Sequence, residues 1–364
     1  HGTNPASAVM AGMEIVVVKC DEKGNIDVED LKSKAEKYKD TLSALMVTYP
    51  STHGVYEDSI TDITSIIHEN GGLVYMDGAN MNAIAGWIDL DSLGVDAVHN
   101  NLHKTWSIPH GGGGPGDAIV AVSEKLIDYL PGIQIIQNDG KYQTMAPSKS
   151  IGSIHRHYGN FGHKLRCYAY LKFLGKDGIK RMSGIAVLSA KYLYHKLKEV
   201  YPVLPMGSED NPRMHEFILT LSDDTFKRVA EAGTPKNQTI ARVGKLFLDF
   251  GFHAPTVAFP EAFGLMIEPT ESYTKDELDG FCEMVKSIHN VINEYPQVLT
   301  TVPHFTPIDR VDEVAANKTP VLSEDITDTL SPILPDRIDV DRLRSLSQEQ
   351  IIQEILKAHE SASS

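Results

Sequence analysis

Residues 101–105 read Asn-Leu-His-Lys-Thr, so Lys104 follows an apolar run closely and stands between His103 and Thr105. An amine presented at the end of a strand can hold a carbonyl as a Schiff base. Upstream, Val74-Tyr-Met-Asp-Gly-Ala-Asn80 ends a short hydrophobic run on a carboxylate, Asp77, and downstream comes Pro109-His-Gly-Gly-Gly-Gly-Pro-Gly116. An aldehyde cofactor built on a pyridine ring needs such a pair. The amine holds the aldehyde, and the acid keeps the ring nitrogen protonated so that the ring can draw electrons. The lysine must also shed its proton to attack, which desolvation in a pocket favours. Taken singly, an Asp after a strand is a turn or cap residue and a lysine is a solvated cation; the signal lies in their order along the chain.

The elements that must position this pair follow an α/β rhythm. Residues 14–19 read as a buried strand, 28–38 as a helix and 44–48 as the next strand. Ile60, Ile63, Ile66 and Ile67 fall at helical spacing within 59–69, and strands return at 73–76 and 95–98. Strands alternating with helices imply a parallel sheet, whose ligands gather at the carboxyl ends of its strands. Asp77 and Lys104 then share one edge. Residues 131–157 read as a long polar, glycine-containing loop. Helices are expected over 162–173 and 185–198. A smaller α+β domain should follow, with strands at 216–221 and 264–268 and helices at 237–250 and 275–293. Pro, Asp and Ser accumulate beyond about residue 305, with one amphipathic helix at 347–359. The implied division is 1–160 for a partial cofactor domain, 161–200 for connecting helices, 201–305 for the small domain and 306–364 for a tail. The run Gly111–Gly114 lacks the Lys and Ser/Thr of a phosphate loop and leads through Asp117 into the strand-like 118–122. It reads instead as a mobile or close-packed loop beside the lysine.

Composition bounds the possibilities. The 364 residues are 41% hydrophobic and 23% charged, ordinary for a globular protein of two domains. A formal net charge of −15 argues against a nucleic-acid partner. Cys20, Cys167 and Cys282 are too few and too scattered for a disulfide framework or a zinc site, which fits a reducing compartment. No apolar run approaches the ~20 residues that span a bilayer, no signal peptide opens the chain, and no His/Asp/Glu cluster has metal-ligand spacing.

Several long segments carry a family resemblance. His1-Gly-Thr-Asn-Pro-Ala-Ser-Ala8, Val47-Thr-Tyr-Pro-Ser-Thr-His-Gly-Val-Tyr56, Asp77-Gly-Ala-Asn-Met-Asn-Ala83, Asn101-Leu-His-Lys-Thr105 and the glycine run to Gly116 resemble the signature segments of glycine decarboxylase, the P-protein of the glycine cleavage system. Gly251-Phe-His-Ala-Pro-Thr256 and Met266-Ile-Glu-Pro-Thr-Glu271 resemble its C-terminal domain, so the likeness covers residue 1 to about 300. It implies a fold type I large domain of the pyridoxal-phosphate-dependent transferases, truncated at its N-terminus, with a smaller α+β domain behind it. It further implies pyridoxal 5'-phosphate bound covalently to Lys104, with Asp77 on the ring nitrogen and Ala79 beside it. His103, and more weakly Thr105, would face the phosphate. His1 resembles the residue that stacks on the ring; the alternative is an unordered first residue. His53 is a candidate to face substrate or to act as acid or base; the alternative is a turn histidine bonded to backbone.

In the family, glycine displaces the lysine and loses carbon dioxide, and its aminomethyl group passes to the lipoyl arm of the H-protein. The resemblance implies a homodimer or heterotetramer, in a bacterial cytoplasm or a mitochondrial matrix. It also implies that a chain opening at His1 is an incomplete fragment, expected to bind the cofactor weakly or not at all. Two rivals stand beside this reading. One is another fold type I enzyme, an aminotransferase or a desulfurase-like protein, for which Arg213 is the tempting carboxylate binder. The other is a non-catalytic assembly module.

Overall fold

The computed structural model describes residues 3–111, 114, 116–154, 158–258, 263–306, 310–319 and 340–363. The chain divides into two compact units, the first made of 1–192, 205–217 and 268–273 and the second of 193–204, 218–267 and 274–364.

The first unit contains α1 (Thr3–Met10), α2 (Val28–Lys37), β1 (Ala44–Thr48), α3 (Ile60–Glu69), β2 (Leu73–Asp77), β3 (Ala97–Asn101), α4 (Leu102–Thr105), β4 (Ala118–Val122), β5 (Gln134–Asn138), β6 (Lys141–Met145) and most of α5 (Phe161–Leu197). Its sheet runs β1-β2-β3-β4, with β1, β2 and β3 parallel and β4 antiparallel to β3. Leu31 and Ala35 of α2, Ile63 and Ile67 of α3 and Val74 of β2 form one buried cluster. The helical members recur at intervals of four, which turns one stripe of each helix inward. Asp27 caps α2 by accepting the Asp30 N–H at 3.0 Å.

Three expectations about elements are corrected. Residues 14–19 form no strand, and Ile15, Val16 and Val17 are exposed. The segment is tied instead to α2, where Asp30 accepts the Lys19 N–H at 2.8 Å and Lys34 donates to the Val17 carbonyl at 2.6 Å. A β-branched run makes a strand only where a partner edge meets it. Within 131–157, β5 and β6 form an antiparallel hairpin. Its signal is Asp139-Gly140, both at positive φ as a tight hairpin turn requires. Finally, the two helices expected at 162–173 and 185–198 are found within Phe161–Leu197, but they meet at Gly175, whose φ of 61° and ψ of −177° belong to glycine, so most of the connection expected between them is helical.

At the opposite end of the sheet from the site, the buried Asp96 accepts from the Val74 N–H at 2.9 Å, His68 Nε2 at 2.6 Å and Lys125 Nζ at 2.8 Å. Burial pushes its carboxyl up, but Lys125, the Val74 amide and His68 outweigh that and hold it at about 2, against an ordinary 3.8. A depressed carboxyl contributes stability that is present above the ordinary value and lost as pH falls through the folded one. Acid destabilisation is therefore expected between about pH 4 and pH 2. Asp96→Asn is expected to cost about 2–3 kcal/mol at neutral pH, read by urea unfolding, and to flatten that acid limb. An unchanged midpoint would contradict this assignment.

The second unit contains the end of α5, β7 (Val203–Leu204), β8 (Phe217–Thr220), α6 (Asp223–Glu231), α7 (Lys236–Asp249), β9 (Thr256–Val257), β10 (Gly264–Ile267), α8 (Lys275–Glu294), α9 (Glu313–Lys318), α10 (Val340–Ser345) and α11 (Gln348–Ser363). Its sheet order is β7-β8-β10-β9. Thr274 and Glu277 close a capping box on α8, whose Cys282, Val285, Ile288 and Ile292 are fully buried. None of the described helices is long and apolar enough to cross a membrane.

Candidate active site

Asp77 is the last residue of β2, level with Thr48 on β1 and His99 on β3. Its Oδ1 accepts the Ala79 N–H at 3.0 Å and lies 3.1 Å from His99 Nε2, while its Oδ2 accepts from the Thr48 hydroxyl at 3.4 Å. Asn4 of α1 donates to Thr48 Oγ1 at 3.1 Å. Tyr75 Oη sits 2.8 Å from His99 Nδ1. For a neutral ring, the phenol donates to Nδ1 and Nε2–H points at Asp77, so Tyr75 selects the tautomer. Burial pushes the Asp77 carboxyl up. The hydrogen bonds from His99 and the Ala79 amide more than offset it, and the group stands at about 2. A buried carboxylate is thus kept ionised with part of its acceptor capacity committed.

The same edge carries Lys104. β3 is parallel to β2, and α4 starts directly at its carboxyl end, anchored by the buried Leu102, whose N–H donates to the Asp117 carbonyl at 3.0 Å. α4 packs on the tight turn Gly78–Ala83 that follows Asp77. Gly78 is required there, since a Cβ would lie 2.3 Å from the His99 carbonyl oxygen, and Asn100 Nδ2 holds the Gly78 carbonyl at 2.9 Å. Lys104 itself is exposed.

The neighbours of Lys104 each bury an atom that finds no hydrogen-bond partner among the described residues, Nδ1 in His103 and Oγ1 in Thr105. Burial, with the charges of His110 and Lys104, lowers the His103 ring below its ordinary range. The ring hydrogen-bonds the Asp117 backbone carbonyl, which in a neutral imidazole takes its one N–H and leaves Nδ1 as an acceptor. Thr105 is therefore the better donor to an anionic oxygen. Two orphaned polar atoms, an amine and a fixed carboxylate at one sheet edge fit an aldehyde cofactor that carries a phosphate and a pyridine nitrogen.

His53 is buried in the turn 51–54, where the Gly54 N–H donates to the Ser51 carbonyl at 2.8 Å and the Gly54 carbonyl accepts the Met214 N–H at 2.7 Å. Ala79 is buried and supplies its amide to Asp77. His1 and residues 112, 113 and 115 of the glycine run lie outside the described residues. Arg213 is buried and committed to the Ser208 hydroxyl at 2.6 Å and the Asn211 carbonyl at 3.2 Å.

Sequence reasoning missed a further group in the same unit. Glu216 accepts from Asn80 Nδ2 at 3.1 Å and Glu268 from Asn82 Nδ2 at 2.8 Å. His215 is fully buried, and burial together with the Lys104 charge pushes its ring down to about 3. Its 3.4 Å approach to Glu216 is thus a contact of a neutral ring and not an ion pair. It also missed Thr48, Tyr75 and His99, although each lies at or near the carboxyl end of an apolar strand, level with or close to Asp77. The close fit behind Glu216 is set by Gly54, whose φ is 70° and whose added Cβ would lie 1.8 Å from the Glu216 carbonyl oxygen. Gly54→Ala is expected to cost about 2 kcal/mol or more, combining a left-handed backbone with that clash, read as a lowered thermal midpoint. A variant as stable as the parent would show that the turn relaxes.

A family model described as aminotransferase class-V matches residues 2–224, and one described as glycine dehydrogenase, C-terminal domain, matches 182–302. The chain belongs to the class-V aminotransferase family. Within that family its sequence is similar to the glycine dehydrogenase (decarboxylating) of Christiangramia forsetii, 48% identical over 86% of this chain and 32% of that protein. The mitochondrial glycine dehydrogenase (decarboxylating) of Dictyostelium discoideum is 48% identical over 81% of this chain and 28% of that protein. A protein of Caldanaerobacter subterraneus named "Probable glycine dehydrogenase (decarboxylating) subunit 2" is 43% identical over 88% and 64%. This class-V aminotransferase-family chain thus spans about a third of the single-chain relatives and 64% of the subunit 2 relative.

Its fold is that of a crystal structure of glycine decarboxylase (P-protein) of the glycine cleavage system, with a TM-score of 0.58 at 19% identity over 79% of this chain and 62% of that one. An apo cysteine desulfurase from Thermococcus onnurineus gives 0.54 at 16% identity over 78% and 68%. The α/β fold is therefore that of the fold type I enzymes.

Proposed function

We propose that this chain carries the lysine-bearing part of a pyridoxal-phosphate-dependent glycine decarboxylase that passes the aminomethyl group of glycine to the lipoyl arm of an H-protein. The observation that carries this reading is Asp77, a buried carboxylate kept ionised at the same sheet edge as Lys104. The likeness to glycine dehydrogenases over more than four-fifths of the chain supports the choice of substrate.

The Lys104 amine would hold the cofactor through its aldehyde. Asp77 accepts the N–H of the pyridine ring, while His99, Thr48 and the Ala79 amide keep that carboxylate in place. The Thr105 hydroxyl donates to the phosphate. When bound, pyridoxal 5'-phosphate supplies the electron-poor ring that takes up the electron pair left by departing carbon dioxide. His53 lines the substrate side as a buried histidine. The complete enzyme is a dimer or a heterotetramer of the bacterial cytoplasm or mitochondrial matrix.

An aminotransferase reading needs a guanidinium for a dicarboxylate or second substrate, and the commitments of Arg213 to Ser208 and Asn211 weigh against it. The test is glycine-dependent exchange of labelled carbon dioxide by the full-length protein, with and without lipoylated H-protein. Exchange stimulated by H-protein is the expected result. Amino-group transfer or sulfur release without exchange would replace this reading by one of its rivals.

A further inference from the structure

Glu216 has no part in the steps above, yet it is 2% exposed and sits beside a His215 that is wholly buried. Among the described residues the one cation-forming group within ion-pair reach of it is that histidine, whose Nε2 lies 3.4 Å from Glu216 Oε1. An imidazolium would bring two N–H donors, but neither ring nitrogen of His215 has a hydrogen-bond partner among the described residues. A charge-assisted bond would also close to about 2.8 Å. The ring is therefore neutral. A carboxylate beside it would be a buried charge without a counter-charge, which costs more than taking up a proton. Burial moves both groups accordingly, the Glu216 carboxyl well above its ordinary range and the His215 ring below its own. Glu216 is thus a carboxylic acid that can still accept a hydrogen bond.

That bond comes from a turn the site depends on. Asn80 Nδ2 donates one hydrogen to Glu216 Oε1 at 3.1 Å and the other to the Pro50 carbonyl at 2.9 Å. Asn80 is 9% exposed and stands at φ −93° and ψ 26°, off the helical values of the turn Gly78–Ala83 around it. The kink directly follows Ala79, whose N–H fixes Asp77 Oδ1 at 3.0 Å. Neither acceptor belongs to that turn. Pro50 follows β1, and the segment of Glu216 is tied to the turn 51–54, where the Gly54 carbonyl accepts the Met214 N–H at 2.7 Å. Two outside acceptors therefore hold the backbone one residue away from the amide that aims Asp77.

We propose that Glu216, kept protonated in its buried setting, is a positioning residue for Asp77: by accepting from Asn80 it holds the kinked turn whose Ala79 amide aims the carboxylate. It reaches the ring nitrogen only through Asp77, and that role rests on the function proposed above. The hydrogen bond needs an acceptor oxygen and no charge, so an amide in place of the acid should serve equally.

The test needs no cofactor. Infrared difference spectroscopy at neutral pH between the parent and Glu216→Gln should show the loss of a carboxylic-acid C=O band and no loss of a carboxylate band. Loss of a carboxylate band would overturn the proposal. Hydrogen–deuterium exchange, read by mass spectrometry, then compares segment 77–83 with segment 60–69 as a reference. Glu216→Met keeps the length of the side chain but has no acceptor oxygen, and is expected to speed exchange of 77–83 about tenfold, the worth of one hydrogen bond. Glu216→Gln is expected to exchange at the parental rate.

A Glu216→Met protein with parental exchange in 77–83, or a Glu216→Gln protein as fast as Glu216→Met, would overturn the clamp. So would equal acceleration of 60–69, which would mean a loss of stability alone. Asn80→Ala removes the donor instead and covers the case in which Glu216→Met does not fold. It too is expected to speed 77–83 by tenfold or more, and a parental rate there would overturn the proposal. If these results hold while pyridoxal 5'-phosphate never adds to Lys104, the functional reading fails and the clamp stands. If they fail while the parent exchanges carbon dioxide with glycine, the clamp alone falls.

Discussion

Lys104→Ala is expected to abolish the visible absorbance band that forms when the full-length protein takes up pyridoxal 5'-phosphate, and to bring glycine-dependent exchange below detection. Borohydride treatment should fix the cofactor to a peptide containing Lys104 in the parent and to none in the variant. The reason is geometric. α4 follows β3 without a break, so the residue two places into that helix is delivered to the carboxyl edge where Asp77 ends β2. An amine elsewhere on the surface could add to the aldehyde only without the fixed carboxylate opposite. An adduct mapped to another lysine, or a variant that retains the band, would end the assignment of Lys104.

Asp77→Asn is expected to separate charge from shape. The amide can still accept from Ala79 and His99, so the turn should survive and the cofactor should still attach. The anion facing the ring nitrogen is lost, and with it the ring's capacity to take up an electron pair. Removal of one preorganised electrostatic group costs roughly 10²–10³ in rate, and exchange is expected to fall by about that factor with attachment preserved. The parent carboxyl at about 2 is fully ionised throughout the neutral range, so Asp77 should put no acidic limb on the rate between about pH 5 and 8. Its stabilising contribution, on the order of 2 kcal/mol, is present above the ordinary 3.8 and lost as pH falls toward 2. An Asp77→Asn enzyme with parental exchange would remove the carboxylate from the chemistry.

Much of the first unit was legible because its strands and helices keep strict periods. β1 and β4 fall on the apolar runs 44–48 and 118–122, and α3 on the isoleucines of 60–67. The segment 14–19 shows the limit: Ile15, Val16 and Val17 look like a strand in composition, but strand formation depends on an edge that the local sequence does not contain. The opposite error at β5 and β6 has a local cause, since the Asp139-Gly140 turn signal outweighs the polar character of the flanking residues.

The candidate site divides along the same line. Residue order alone placed an acid and an amine after successive parallel strands, because strand ends and α/β alternation are short-range properties of the chain. The register that aligns Thr48, Asp77 and His99 belongs to the folded sheet. So does the approach of Glu216 to Asn80, 136 residues apart, and of Glu268 to Asn82, 186 apart. The burial of Glu216 exists only once distant segments close around it.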